Sequence, residues 1–173
     1  MLQEPADLLP REIFSPCAAA ALYRRSALDA AGQFDEDHFC YLEDVDLGFR
    51  LRLAGFRALY VPDAVVHHVG SATSGGQHSD FALYHGHRNL VWTYVKNMPG
   101  ALFWLCLPLH ILLNLVVVLV FAARGRGGVL LRAKRDALIG LPRMWAKRRT
   151  IQRNRRAPVA SLWRVMDKGF ARD

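Results

Sequence analysis

The stretch YLEDVDLGFRLRLAGF, residues 41–56, decides most of what the sequence predicts about the fold. Its acidic residues crowd the first turn of a predicted helix, and they are Glu43, Asp44 and Asp46. The helix dipole stabilises carboxylates at that end. Apolar residues follow at helical spacing, namely Leu47, Leu51 and Ala54. We therefore expect a helix that begins near Glu43, presents one apolar stripe and ends at Gly55.

These acidic residues have a chemical and a structural interpretation. Carboxylates fixed at the start of a helix that opens onto a cleft can act as a general base. Helix capping, with a surface ion pair between Asp46 and Arg50, is the commoner use of such residues. Two D-x-D strings, residues 35–37 and 44–46, indicate a metal site only weakly. Spacing alone favours the structural interpretation and leaves catalysis open.

Outward from this helix, the sequence predicts several short elements and one longer helix. In chain order they are a buried strand at 17–23, a helix at 27–31, extended segments at 58–61 and 64–68, and a helix at 80–97.

The last extended segment ends in His67 and His68, and a neutral imidazole there can ligate a metal. Neighbouring residues of a strand point to opposite faces, so at most one of the two would face a given site. A partly buried histidine with ordinary hydrogen bonds is the simpler alternative.

Charge divides the chain into two unlike parts. Residues 1–100 have a net charge of −4 and residues 101–173 a net charge of +12. The hydrophobic fraction of 52% and the charged fraction of 22% exclude a disordered chain. An acidic front and a basic back indicate two roles on one chain.

Residues 101–123 carry no charge, and an apolar run of about 18 residues or more can span a bilayer. Pro108, His110 and Asn114 favour instead a helix in the plane of the bilayer or a re-entrant hairpin. A buried helix of a soluble protein is the third alternative. The basic segment 124–135 that follows would lie on the cytoplasmic side. Beyond it we expect a basic helical tail broken at Pro142 and Pro158.

Four linked stretches occur in one order: AALYRRSALDAAGQFDEDHF (20–39), YLEDVDLGFRLRLAGF (41–56), ALYVPDAVVHHVGSATSG (58–75) and YHGHRNLVWTYVKNMP (84–99). Together they resemble the C-terminal half of the catalytic domain of glycosyltransferase family 2, in particular its bacterial rhamnosyltransferase-like members. The resemblance implies an α/β architecture of the GT-A type. It also implies an inverting transfer of a sugar from a nucleotide-sugar donor to a lipid-linked or polysaccharide acceptor.

The resemblance also implies roles for single residues. Asp44 would be the general base that deprotonates the acceptor hydroxyl, and Glu43 would shape the acceptor site. Arg88 would meet the donor diphosphate, and Asp46 is grouped with it as a substrate-binding residue.

The same resemblance also implies a metal ligand, and it implies that the nucleotide-binding half of the catalytic domain lies outside this chain. His68, or His67 if the register shifts by one, would ligate a divalent ion, Mg²⁺ or Mn²⁺. Family members place a nucleotide-binding half with its own D-x-D before the region matched here. We therefore expect a C-terminal piece that needs a separate N-terminal half and is inactive alone.

These inferences define three regions. Residues 1–98 would be the acceptor-side part of the catalytic domain, 99–125 a membrane-associated helix, and 126–173 a basic tail. The expected partners are the nucleotide-sugar donor, the acceptor and an anionic membrane, with no nucleic acid. Nucleotide sugars are cytoplasmic, which favours a peripheral or re-entrant helix at the cytoplasmic face of the bacterial inner membrane over a single span. The alternatives are a non-catalytic membrane-associated protein, or a nucleic-acid-binding module at 143–156 with Trp145 as a stacking residue.

Overall fold

The computed structural model describes residues 9–68, 76 and 79–166, and this part of the chain is mostly helical. Its elements are β1 (Arg11–Ile13), a 3-10 turn (Ala18–Ala20), α1 (Arg25–Ala31), α2 (Glu43–Leu53), β2 (Ala58–Tyr60), α3 (Asp80–Asn97), α4 (Gly100–Ala123), α5 (Gly127–Ile139), α6 (Leu141–Arg153) and α7 (Val159–Val165). The α/β expectation is met in these residues only by one small sheet. In it β1 and β2 pair antiparallel, with Arg11 opposite Tyr60 and Ile13 opposite Ala58.

The helix predicted to begin near Glu43 and the helix predicted at 80–97 are both confirmed. Helix α2 begins at Glu43 and gives way to Gly55, whose φ of 95° suits only glycine. Helix α3 has the predicted bounds, and Ser79 caps it by accepting a hydrogen bond from the Ala82 N–H at 3.1 Å.

The strand predicted at 17–23 is wrong. Residues Ala18–Ala20 form a 3-10 turn whose side chains are all exposed, and Leu22 is exposed as well. A run of alanines offers little apolar area for burial. The segment 64–68 is also no strand, and its side chains are exposed.

Helix α3 is the element on which the C-terminal helices pack. The Trp92 indole N–H donates to the carbonyl of Ala137 at 2.9 Å, and Arg148 Nη1 donates to the carbonyl of Val95 at 2.9 Å. Gly140 lies between α5 and α6, where an added Cβ would come within 2.5 Å of the Trp92 ring. The break between these helices therefore falls at Gly140. The break predicted at Pro142 is found two residues earlier, and Pro142 itself lies in the first turn of α6, where a missing N–H costs nothing.

One apolar core joins α2 to the C-terminal helices. Its buried members are Phe49, Leu53, Tyr94, Met98, Leu102, Phe103 and Leu162. They come from α2, α3, the start of α4 and α7, so all three regions predicted from the sequence contribute to the same core.

Helix α4 lies antiparallel against α3. The ring of Tyr94 stacks on that of His110 at 4.0 Å, and further along the pair His87 meets Phe121 at 6.0 Å. The helix runs through Pro108 without interruption, so a hairpin at this proline is not what the structure shows. By length and composition it could cross a membrane, and none of its most apolar 18-residue window is buried. The residues that the structure describes therefore do not bury this helix.

Candidate functional site

Glu43 opens onto a cleft at the start of α2. The cleft measures about 450 Å³. Its lining residues are Ala18, Phe34, Asp35, Glu36, Phe39 and Glu43. Glu43 Oε2 is buried without a hydrogen-bond partner among the described residues. Burial raises the pKa of Glu43, and the neighbouring Asp44 carboxylate raises it further.

Asp44 is held in a fixed orientation beside Glu43. Its Oδ2 accepts the backbone N–H of Ala18 at 3.1 Å, and its Oδ1 accepts that of Val45 at 2.7 Å. The Ser15 hydroxyl donates to the Asp44 carbonyl at 2.8 Å. These hydrogen bonds fix the orientation of the Asp44 carboxylate and of its backbone. Its assignment as the base stays a prediction.

The loop that leads into α2 is strained. Its residues with positive φ are Phe39 (59°), Tyr41 (65°) and Leu42 (63°). Each non-glycine residue in this conformation costs about 1–2 kcal/mol. Such strain persists only where surrounding contacts impose it, and functional sites are where it usually occurs.

Asn89 on α3 imposes this conformation. Its Nδ2 donates to the carbonyls of three loop residues, each at 2.8 Å: His38, Cys40 and Tyr41. The side chain of Asn89 is buried. A single amide group therefore fixes the backbone immediately before Glu43 and Asp44.

Arg88, the residue before Asn89, also binds this loop. Its Nη2 donates to the carbonyls of Asp37 and His38 at 3.1 and 3.2 Å. Its guanidinium lies 4.3 Å from the centre of the Trp92 ring. The observed contacts hold the loop, and the predicted contact with a donor diphosphate stays a prediction.

Asp46 lies in a buried ionic network between α2 and α3. Its Oδ1 is 2.7 Å from Lys96 Nζ, and its Oδ2 accepts from Arg50 Nε at 2.9 Å. Asn97 Nδ2 donates to the same Oδ1 at 2.7 Å. The predicted pair with Arg50 exists, but it is buried rather than on the surface. Since Asp46 has no exposed surface here, its observed role is to join two helices, and substrate binding by it stays a prediction.

Cations decide the protonation state of this network. Burial alone would raise the pKa of Asp46, but the charges of Lys96 and Arg50 outweigh it and lower the pKa. Burial lowers the pKa of His38 to about 4, so its ring is neutral near pH 7. The ring Nε2 lies 3.1 Å from the Thr93 hydroxyl.

The network also contains the only group of three metal-ligating side chains found in the described part of the chain. Ligand atoms of Asp35, His38 and Asp46 lie within 4.8 Å of one another. Lys96 Nζ contacts both carboxylates, so an ammonium group already supplies the positive charge between them. A metal ion does not fit this group. The predicted ligands His67 and His68 are not part of it and are exposed.

Helix α6 reaches this site from the basic tail. Lys147 Nζ contacts carboxylate oxygens of Asp35 and Asp37 at 2.5 and 2.6 Å, and Arg143 pairs with Asp37 at 3.0 Å. Burial alone would raise the pKa of Asp35, but hydrogen bonds from Lys147 and Lys96 hold it well below its usual range. Tail residues that were candidates for nucleic-acid contact are thus engaged with the acidic loop.

Sequence reasoning missed Asn89, Lys96 and Lys147. A signal for the first two is present in α3, where buried polar residues recur at helical spacing: Asn89, Thr93, Lys96 and Asn97. A polar stripe on a buried helix face indicates a hydrogen-bonded network. Lys147 had no such signal, because its partners are more than 100 residues away in sequence.

Comparison with known proteins identifies the class. The family described as "Glycosyltransferase like family 2" matches residues 8–94, which include the strained loop, Glu43, Asp44 and most of α3. The chain belongs to this family.

The curated relatives are more particular. The chain is 49% identical over 84 residues to N-acetylglucosaminyl-diphospho-decaprenol L-rhamnosyltransferase from two strains of Mycobacterium tuberculosis. The match covers 48% of this chain and 27% of each relative, so the chain spans about a quarter of their length. No solved structure matches the chain at a significant level.

Replacing Asn89 by aspartate, which has nearly the same shape, tests whether the Asn89 amide holds the loop at residues 38–42. Asn89→Asp removes the donors to three carbonyls and buries a carboxylate against them, so the free energy of unfolding should fall by about 2–4 kcal/mol. Amide hydrogens of residues 38–42 should also exchange faster than in the unchanged protein.

The control is Asn154→Asp at the exposed end of α6, which should change the unfolding free energy by less than about 0.5 kcal/mol. An Asn89→Asp protein as stable as this control, with unchanged exchange in residues 38–42, would contradict the clamp.

Proposed function

We propose that this chain is the acceptor-side part of an inverting glycosyltransferase of the GT-A type. It acts with a donor-binding part to transfer a sugar from a nucleotide-sugar donor to a lipid-linked acceptor. The observation that carries the proposal is the Glu43–Asp44 pair, which directly follows a strained loop held by Asn89 and whose first member, Glu43, lines a cleft. The name of the Mycobacterium tuberculosis relatives, which specifies a diphospho-decaprenol acceptor, supports a lipid-linked one.

In the proposed reaction Asp44 accepts the proton of the acceptor hydroxyl as its oxygen attacks the anomeric carbon of the donor. The bond from that carbon to the nucleoside diphosphate breaks, and the configuration inverts in a single displacement. Glu43 lines the cleft, where burial raises the pKa of its carboxyl, and it can contact the acceptor beside Asp44. Asn89 and Arg88 act by position, since they fix the backbone that carries both carboxyls.

A divalent ion, when bound, would neutralise the charge of the departing diphosphate. The Asp35–His38–Asp46 group does not fit such an ion, because Lys96 takes its place. We propose His68, with His67 as the alternative, as the ligand that this chain contributes. Its exposure leaves it accessible to an ion held mainly by the donor and the donor-binding part.

The base assignment is tested in an enzyme that joins this chain to a donor-binding half. Asp44→Asn should lower kcat by about 10²–10⁴-fold, the usual contribution of general-base catalysis, with donor binding nearly unchanged. Sugar transfer and donor affinity are measured separately.

The matched control is Asp63→Asn, an exposed aspartate that follows β2, which should keep full activity. Full activity of Asp44→Asn would remove Asp44 from the mechanism. Equal losses in both variants would show an effect that is not specific to the site.

We also propose that α4 lies in the plane of a membrane surface, on the cytoplasmic side where nucleotide sugars are found. The helix is held along its length by α3 and α5, through contacts such as His87–Phe121 and Lys134–Asn114. A span by α4 would pull these helices into the hydrocarbon together with the charges of α5, at a cost of several kcal/mol. The exposed apolar side chains of α4 can enter the bilayer while the basic residues of the tail attract anionic lipid.

In this arrangement the regions 1–98, 99–125 and 126–173 correspond to the acceptor-side part, the membrane helix and the basic tail. The tail has a second role, because α6 holds the acidic loop.

Substitutions on the outer face of α4 test the membrane proposal. The variant carries glutamine at Leu112, Leu115 and Leu119, all exposed. The unchanged chain should stay bound to anionic vesicles in high salt. The triple variant should bind at least about a hundredfold more weakly and be released by salt, because only the screened electrostatic attraction remains.

The control carries glutamine at three exposed apolar residues elsewhere, Leu22, Leu59 and Val65, and should bind as the unchanged chain does. Equal binding by both triple variants would contradict a role for α4. Tags at the two termini should be accessible from the same side of a sealed vesicle, and protection of one tag alone would show a span.

A further inference from the structure

A second cleft opens where α4 begins, outside the Glu43 site. It measures about 320 Å³. The residues that line it are Gly100, Trp145, Arg148, Arg149, Gln152 and Arg155. Three of the six are arginines and none is acidic. Neither the proposed chemistry nor the family match, which ends at residue 94, accounts for this cleft.

Among the described residues, no carboxylate forms an ion pair with the arginines of this cleft. Arg155 Nη1 is buried and has no hydrogen-bond acceptor among the described residues. Within residues 9–68 and 79–166, no ion pair joins Arg148, Arg149 or Arg155 to a carboxylate. A buried guanidinium donor without an acceptor is costly, and a bound anion would remove that cost.

The floor of the cleft is fixed before any ligand binds. Arg148 Nη1 donates to the carbonyls of Val95 and Met98, and its guanidinium lies 4.5 Å from the centre of the Phe103 ring. Gln152 Nε2 donates to the carbonyl of Asn97 at 2.9 Å. These contacts tie the cleft to the junction of α3 and α4, so little side-chain freedom is lost on binding.

The cleft lies beside the apolar face of α4. Gly100, which lines it, is the first residue of that helix, and Trp104 one turn later is 66% exposed. The Phe103 ring lies between the two tryptophans, 4.9 Å from Trp104 and 5.8 Å from Trp145. Tryptophans with an exposed edge favour the headgroup region of a bilayer. A helix placed with its apolar face in the membrane therefore brings the cleft to headgroup depth.

We propose that this cleft binds the phosphate of a membrane lipid that carries a phosphomonoester or diphosphate headgroup. Guanidinium groups pair with phosphate through two parallel hydrogen bonds. Three arginines in a cleft whose described lining has no acidic residue match a group of two or more negative charges. The site rests on the proposed placement of α4 at the membrane and is independent of the catalytic role of Asp44.

The test compares two kinds of vesicle with the full chain. One contains phosphatidic acid, a phosphomonoester, and the other phosphatidylglycerol, a phosphodiester, both in phosphatidylcholine and adjusted to equal surface charge. The site variant is Arg149→Gln with Arg155→Gln. The control is Arg124→Gln with Arg153→Gln, which removes the same charge from exposed positions outside the cleft.

The unchanged chain and the control should prefer the phosphomonoester vesicles by about tenfold, the value of one charge-assisted hydrogen-bonded pair, and the site variant should lose this preference. Equal preference in the two double variants, or none in the unchanged chain, would overturn the proposal. Soluble pyrophosphate at the same phosphate concentration should leave this preference unchanged, and loss of the preference in its presence would assign the cleft to a free diphosphate instead.

Two further measurements show whether a lost vesicle preference comes from the cleft rather than from lost catalysis or misfolding. Asp44→Asn should bind both vesicles as the unchanged chain does, so loss of catalysis leaves the cleft intact. Matching circular dichroism spectra and melting temperatures of the two arginine variants show that each is folded.

Discussion

The ammonium group of Lys96 is the interaction on which this structure depends. It is buried in α3 and contacts the carboxylates of Asp46 in α2 and Asp35 in the preceding loop. A buried charge is tolerated only where partners replace its hydration, and here each partner comes from a different segment. The position of α2, and with it the Glu43–Asp44 pair, therefore follows from the position of α3.

The same arrangement explains why a family domain and a basic tail form one unit. Lys147 of α6 contacts Asp35 from the side opposite its partner Lys96, and Leu162 of α7 completes the apolar core shared with α2. Both basic residues hold the loop whose last residues are strained. The tail makes a second contribution, since other residues of α6, among them Arg148 and Arg149, line the cleft at the start of α4.

Local patterns were sufficient for the helices and insufficient for the site. Apolar spacing and capping residues predicted α2 and α3 to within a few residues, and the lack of charge predicted α4. The strand at 17–23 failed because hydrophobicity alone does not separate a run of alanines from a core strand. Asp46 was predicted to form a surface pair with Arg50, since an i,i+4 spacing says nothing about burial. The roles of Asn89 and Lys147 depend on contacts 48 and 112 residues apart in sequence, which no local pattern contains.

The unfolding free energy of Lys96→Met, measured by urea denaturation of the full chain with and without Mn²⁺, tests the central claim most directly. Removing the cation takes away the charge that lies between Asp35 and Asp46 and leaves them only Lys147 and Arg50 as ionic partners, so stability should fall by about 3–5 kcal/mol. The control Arg25→Met, which breaks the exposed pair with Asp29, should change it by less than about 1 kcal/mol. Mn²⁺ should not alter the stability of the unchanged chain. A Lys96→Met protein as stable as the control, or an unchanged chain that Mn²⁺ stabilises through Asp35 and Asp46, would contradict the claim that Lys96 holds this site together.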